Sequence, residues 1–123
     1  MKVNTKQDII TLIQQNKKRF QDFGVSRLGL FGSFVKEQVN QDSDVDVLVT
    51  FHPHLKTFDN FMSLSIFLED LLERKVDLIT PESLSPYVGK EILQEVEYVS
   101  IFERLFKTYI NQVSVVRKLA LWI

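Results

Sequence analysis

The chain has 123 residues, 45% hydrophobic, 11% aromatic and 25% charged, with 15 basic against 16 acidic side chains and a formal charge of −1. That is the composition of a single globular domain able to bury a core unaided, and its charge balance gives no reason to expect direct nucleic-acid binding or an anionic membrane surface. The absence of cysteine excludes a disulfide framework, a thiolate metal site and a cysteine nucleophile; with no bilayer-length apolar run and no apolar segment at the start, a cytoplasmic location and no membrane partner are the expectation.

Along the chain, Ile9, Ile13 and Phe20 recur on one side of residues 5–22, flanked by Ile10 and Leu12, which predicts an amphipathic helix ending near Gly24. Residues 25–31 form a short apolar run that leads directly into Gly32-Ser33 and predicts a strand followed by a short helix. Residues 45–50 (Val-Asp-Val-Leu-Val-Thr) are β-branched and apolar and predict a second strand, which His52-Pro53-His54 breaks. Over 57–73, Phe58, Phe61, Met62, Ser65, Leu68 and Leu72 recur at helical spacing beside Phe67 and Leu71, predicting a well-buried helix. Residues 76–79 predict a third strand, stopped by Thr80-Pro81, and residues 83–95 a further helix with Pro86 in its first turn. This order makes a mixed α/β sandwich the economical architecture.

Residues 99–123 differ in kind. Residues 1–98 carry 11 basic and 15 acidic side chains, whereas 99–123 carry four basic and one acidic. Phe102, Leu105, Phe106, Tyr109, Val113, Val116 and Ala120 fall at spacings of three or four, so the expectation is a main domain over 1–98 and an amphipathic C-terminal helix over 99–123. That helix would cover the domain's own sheet or that of another copy, or dock on a partner.

Candidate chemistry gathers at two adjoining places. Gly32-Ser33 at a strand end offers close backbone approach, unpaired N–H groups and a hydroxyl, which suit a phosphate; the bland alternative is a plain helix cap. Asp44 and Asp46, two apart, project on one face of a strand with Cα atoms roughly 6.5 Å apart. Their charges repel by about 2.5 kcal/mol at an effective dielectric near 20, in a segment otherwise rich in valine and leucine. Asp77 recurs within the next apolar strand. Three aspartates converging from paired strands would make a hard-oxygen site suited to Mg²⁺. A calcium-loop reading of 42–53 fails because Val47 and Pro53 stand where glycine and glutamate are needed, and a Walker loop fails because no Gly-Lys-Ser/Thr follows Gly32. A metal nuclease drawn from Asp46 with Glu73-Arg74-Lys75 is the weaker alternative. His52 and His54 lack a third ligand at a recognisable spacing.

Gly32-Ser33, ten residues, then Asp44-Val45-Asp46 and an apolar strand resembles the signature of the DNA polymerase β-like nucleotidyltransferase superfamily. With Leu28 to Val35, Asp42 to Val49 and Arg74 to Pro81, residues 5–98 resemble the minimal nucleotidyltransferases, the MntA-type antitoxins paired with HEPN-domain ribonuclease toxins. The resemblance implies a polymerase β-like nucleotidyltransferase fold, a mixed sheet flanked by helices. It implies a Mg²⁺-dependent protein adenylyltransferase that moves AMP from ATP to a tyrosine hydroxyl of the toxin and releases pyrophosphate. Asp44, Asp46 and Asp77 would be the catalytic metal ligands for two Mg²⁺ ions, and Gly32, Ser33 and Lys36 would bind the nucleotide. Where the family reads Arg-Gly-Glu, this chain has Lys36-Glu37-Gln38, which keeps a positive charge, loses the guanidinium fork and requires the loop to avoid positive φ at Glu37. A non-catalytic antitoxin that neutralises the toxin by binding alone is the alternative; transfer to a small molecule fits less well, since the chain has no second domain to form an acceptor pocket.

Overall fold

The computed structural model describes residues 2–101, so the C-terminal helix expected over 99–123, with its oligomeric reading, lies outside the described residues from 102 onward. Thr5 caps the first helix: its hydroxyl accepts from the Asp8 amide at 3.1 Å, and the Asp8 carboxylate accepts from the Thr5 amide at 3.2 Å, a reciprocal capping box. The helix expected over 5–22 is in fact two, α1 (Lys6–Gln15) and α2 (Lys17–Asp22). At Asn16 the backbone leaves helical values, and the side-chain amide donates to the Leu12 carbonyl at 2.7 Å, a local bond of the kind that competes with the helical ladder. With the break in place, Ile9, Ile13 and Phe20 are all fully buried.

Strands β1 (Val25–Phe31), β2 (Val45–Phe51) and β3 (Val76–Ile79) stand where the sequence predicts them, β2 one residue longer. A fourth, β4 (Glu97–Val99), is not predicted; three residues are too few for alternation to register. The sheet order is β3-β2-β1-β4, with β1 antiparallel to both neighbours and β2 parallel to β3. This mixed sheet bears out the expected fold class. Alternation sends Leu28, Leu30, Val45, Val47, Val49, Phe51, Val76, Leu78 and Val99 into one core with the buried residues of the helices. Asp46 and Asp77 therefore fall on the opposite face.

Helix α3 (Phe58–Leu72) is capped by Thr57, whose hydroxyl accepts from the Asn60 amide at 3.1 Å. Its buried stripe is Leu64, Leu68 and Leu72, with Phe61, Phe67 and Leu71 partly buried against it. Phe58 and Met62, expected in the core, point outward at 77% and 40% exposure. The helix is apolar over most of its circumference, so its period alone cannot choose the inward face; contact with α2, where Phe67 meets Phe20 and Phe23 at 5.4 and 5.5 Å between ring centroids, does.

The helix expected over 83–95 begins later, as α4 (Pro86–Glu95), capped by Ser85 with Pro86 in the first turn. Pro81–Ser83 form a separate 3-10 turn. Val99 and Ile101 are buried in the core, so the packed body continues into the segment read from sequence as the start of the extension. No helix among the described residues is long and apolar enough to cross a membrane.

Candidate active site

Strand register builds the carboxylate cluster. In the parallel β2–β3 ladder Asp46 lies directly beside Asp77, and in the antiparallel β1–β2 ladder it faces Phe31, the residue before Gly32. Asp44 enters from the loop just ahead of β2. Asp44 and Asp77 are exposed and Asp46 is half-buried. Burial, followed by the charges of Asp77, Asp44 and Glu95, raises the Asp46 carboxyl from 3.8 to about 6, against a smaller opposing effect of Lys36. Three of the predicted site residues thus share one electrostatic environment.

The donor chemistry fits a divalent cation: three hard-oxygen carboxylates whose mutual repulsion a positive ion would relieve. Their side chains are not closed round a common point, and among the described residues no group of three His, Cys, Asp or Glu is arranged to hold an ion. His52 and His54, with ring centroids 6.4 Å apart, belong to no such group either.

Gly32 meets the cluster from β1. Its φ of +73° is one that side chains rarely adopt, and a Cβ there would run into the Asp46 carboxylate. Here glycine is required both by conformation and by the approach of a catalytic candidate. The junction that follows is a single 3-10 turn, Gly32–Phe34, in which the Gly32 carbonyl accepts from the amides of Val35 at 3.1 Å and Lys36 at 3.0 Å. A long helix N-terminus is therefore not what a ligand would meet.

Two neighbours change the reading of this corner. The Gly32 N–H, expected to be open, donates to the carboxylate of Glu95 at the end of α4. The other carboxylate oxygen of Glu95 lies 3.3 Å from the ammonium of Lys36. Further along, Glu37 adopts φ +57°, contrary to the expectation that a non-glycine residue keeps this loop out of the left-handed region. The turn geometry, set by the Gln38 amide donating to the Ser33 carbonyl at 2.9 Å, overrides the preference of one exposed side chain; such strain is modest, about 1–2 kcal/mol.

Arg74 supports the Asp44 side. It is 7% exposed, and its guanidinium donates to the carbonyls of Val3 (2.6 Å), Asn40 (3.0 Å), Gln41 (3.4 Å) and Ser43 (2.9 Å), with its plane over Phe34. One buried fork thereby ties down the loop that delivers Asp44. Being turned inward, Arg74 is also removed from the nuclease reading. The sequence offers Arg74 only within the nuclease alternative and a family motif, and it does not single out Glu95, which lies 63 positions from the glycine it contacts.

Proteins of similar sequence and fold are nucleotidyltransferases. The family model described as nucleotidyltransferase domain matches residues 9–99. The protein adenylyltransferase MntA of Thermococcus cleftensis is 38% identical over 100 residues, covering 80% of this chain and all of that protein. A solved minimal nucleotidyltransferase superposes with a TM-score of 0.60 at 26% identity, covering 72% of this chain and 93% of that one. A toxin–antitoxin crystal structure with AMP-PNP shares the fold at a TM-score of 0.58 and 16% identity, covering 86% of this chain and 98% of that one.

Proposed function

The chain belongs to the nucleotidyltransferase domain family, and from that premise we propose that it is a protein adenylyltransferase antitoxin, moving AMP from ATP to a tyrosine hydroxyl of a HEPN-domain ribonuclease toxin. The observation that carries the reading is the placement of Asp46 beside Asp77, with Asp44 two residues earlier and Gly32 pressed against Asp46. The similarity to MntA supports the activity, and the shared fold of a toxin–antitoxin structure supports the setting.

In the reaction the tyrosine hydroxyl gives up its proton to solvent as its oxygen attacks the α-phosphorus of ATP; a P–O bond forms there, the bond from that phosphorus to the α–β bridging oxygen breaks, and pyrophosphate leaves with that oxygen. Asp44, Asp46 and Asp77 would hold Mg²⁺, two ions in this reading, which when bound supply charge neutralisation at the phosphates. Gly32 admits the nucleotide to the backbone, and the Ser33 hydroxyl donates to a phosphate oxygen. Lys36, at the same corner, adds a positive charge. Asp46 must give up its proton to act as a ligand, so a proton and Mg²⁺ compete for it, and the affinity for Mg²⁺ is expected to rise with pH as that proton is lost. AMP on the toxin adds bulk and negative charge beside its RNA-cutting site.

The test is to incubate the protein with its toxin, ATP and Mg²⁺ and to measure the intact mass of the toxin. Addition of AMP by wild type, absent with Asp44→Asn, is the expected result. An unchanged mass with wild type, or equal modification by the variant, refutes the enzymatic reading. The engagement of Gly32 and Lys36 by Glu95 favours the alternative of a pure binder, which protection of cells by a protein with all three aspartates changed to asparagine would identify.

A further inference from the structure

Two of the groups expected to receive a phosphate, the Gly32 N–H and the Lys36 ammonium, are already engaged by an anion of the protein's own. Glu95 ends α4 and is separated by one residue, Val96, from β4, which pairs with β1. Its backbone is anchored on both sides, and its side chain reaches across to the end of β1. There one carboxylate oxygen takes the Gly32 N–H and the other faces the Lys36 ammonium at 3.3 Å. A carboxylate and a phosphate group share what such donors recognise: negative charge and several acceptor oxygens in a compact head. Glu95 is 22% exposed at its side chain, enough to reach solvent by rotation, and Lys36 is 54% exposed, free to take a new partner.

We propose that Glu95 is an internal occupant of the phosphate seat, exchanged for a nucleotide phosphate on binding, and that it thereby sets the protein's affinity for nucleotide. The proposal rests on the nucleotidyl-transfer reading above and adds a residue to it. When a phosphate arrives, the Gly32 N–H and the Lys36 ammonium pass from Glu95 to the ligand, and the glutamate turns toward solvent by side-chain rotation alone, leaving the β1–β4 ladder intact. Lys36 acts in both states, as partner of Glu95 in one and of the nucleotide in the other. No covalent step is involved.

The test measures binding of Mg²⁺·AMP-PNP to the full chain by calorimetry, comparing wild type with Glu95→Gln, Glu95→Asp, Lys36→Met and the Glu95→Gln/Lys36→Met pair, each checked for cooperative thermal unfolding. Glu95→Gln removes the charge that competes for the seat, and Glu95→Asp keeps the charge but withdraws it by one methylene. Both are expected to bind about tenfold more tightly than wild type, the scale of one charge-assisted hydrogen bond. The gain from Glu95→Gln should shrink in the Lys36→Met background, because the two residues share one exchange. Tightening by Glu95→Gln but not Glu95→Asp would show a through-space charge effect and overturn the exchange. Equal or weaker binding by both variants, with wild type binding normally, overturns the proposal and leaves the nucleotide reading standing. If neither wild type nor any folded variant binds AMP-PNP, the nucleotide reading falls and the proposal with it. Should Glu95→Gln fail to fold, Glu95→Asp decides by the same comparison with wild type.

Discussion

Replacing Asp46 with asparagine should stabilise the fold while abolishing transfer. The carboxyl is raised from 3.8 to about 6 by its burial and by the charges of Asp77, Asp44 and Glu95. Between those two values the folded protein keeps a proton that the unfolded chain has released, so stability from this group falls as pH rises through the window, and the full penalty is present above about pH 6. At ~1.4 kcal/mol per pH unit the penalty has an upper bound of roughly 3 kcal/mol; because the side chain is only half-buried, water screening reduces the expectation to ~1 kcal/mol. Asparagine matches the shape and carries no charge. Urea unfolding at pH 7.5 should show Asp46→Asn more stable by about 1 kcal/mol, with a melting temperature higher by ~3–5 °C. The difference should shrink toward zero below about pH 3, where both states of the wild type are protonated. A variant no more stable than wild type at pH 7.5, or an advantage unchanged on acidification, would refute the electrostatic account of the cluster.

Two further substitutions probe the supports of the cluster. Gly32→Ala places a Cβ against the Asp46 carboxylate at a backbone φ of +73°; it should destabilise by roughly 2 kcal/mol and reduce AMP transfer by at least ~100-fold, read from denaturation curves and toxin mass, and near-wild-type activity would show that the close approach is dispensable. Arg74→Ala leaves the carbonyls of Val3, Asn40, Gln41 and Ser43 without their buried donor; a loss of about 3 kcal/mol is expected in urea unfolding, with only partial recovery in Arg74→Lys, which lacks the fork. A loss below ~1 kcal/mol would mean that water replaces the guanidinium without penalty.

The parts legible in the sequence are those written in local order. Val25–Phe31, Val45–Phe51 and Val76–Ile79 declare themselves as strands because each is a short apolar run closed by turn residues. The Asp44-x-Asp46 pair and the Gly32-Ser33 corner are visible because their spacing is short and their residue types are unusual in such runs. The misreadings have physical causes that hydrophobic periodicity does not register. A side-chain bond from Asn16 to Leu12 splits one helix into two. Packing against Phe20 and Phe23 turns α3 so that Phe58 faces water. Glu37 accepts a left-handed backbone because its turn demands it.

The sequence by itself determined the strand segments and the carboxylate-bearing positions, since each follows from residue type and near-neighbour spacing. Only the tertiary structure decided that Asp46 stands beside Asp77, because that depends on the register of two strands separated by a whole helix. It alone brought Arg74 under the Asp44 loop and Glu95 onto Gly32 and Lys36. Contacts between residues 31 to 63 positions apart leave no periodicity in the chain; they exist only once the sheet has closed and the helix after β3 has folded back across its end.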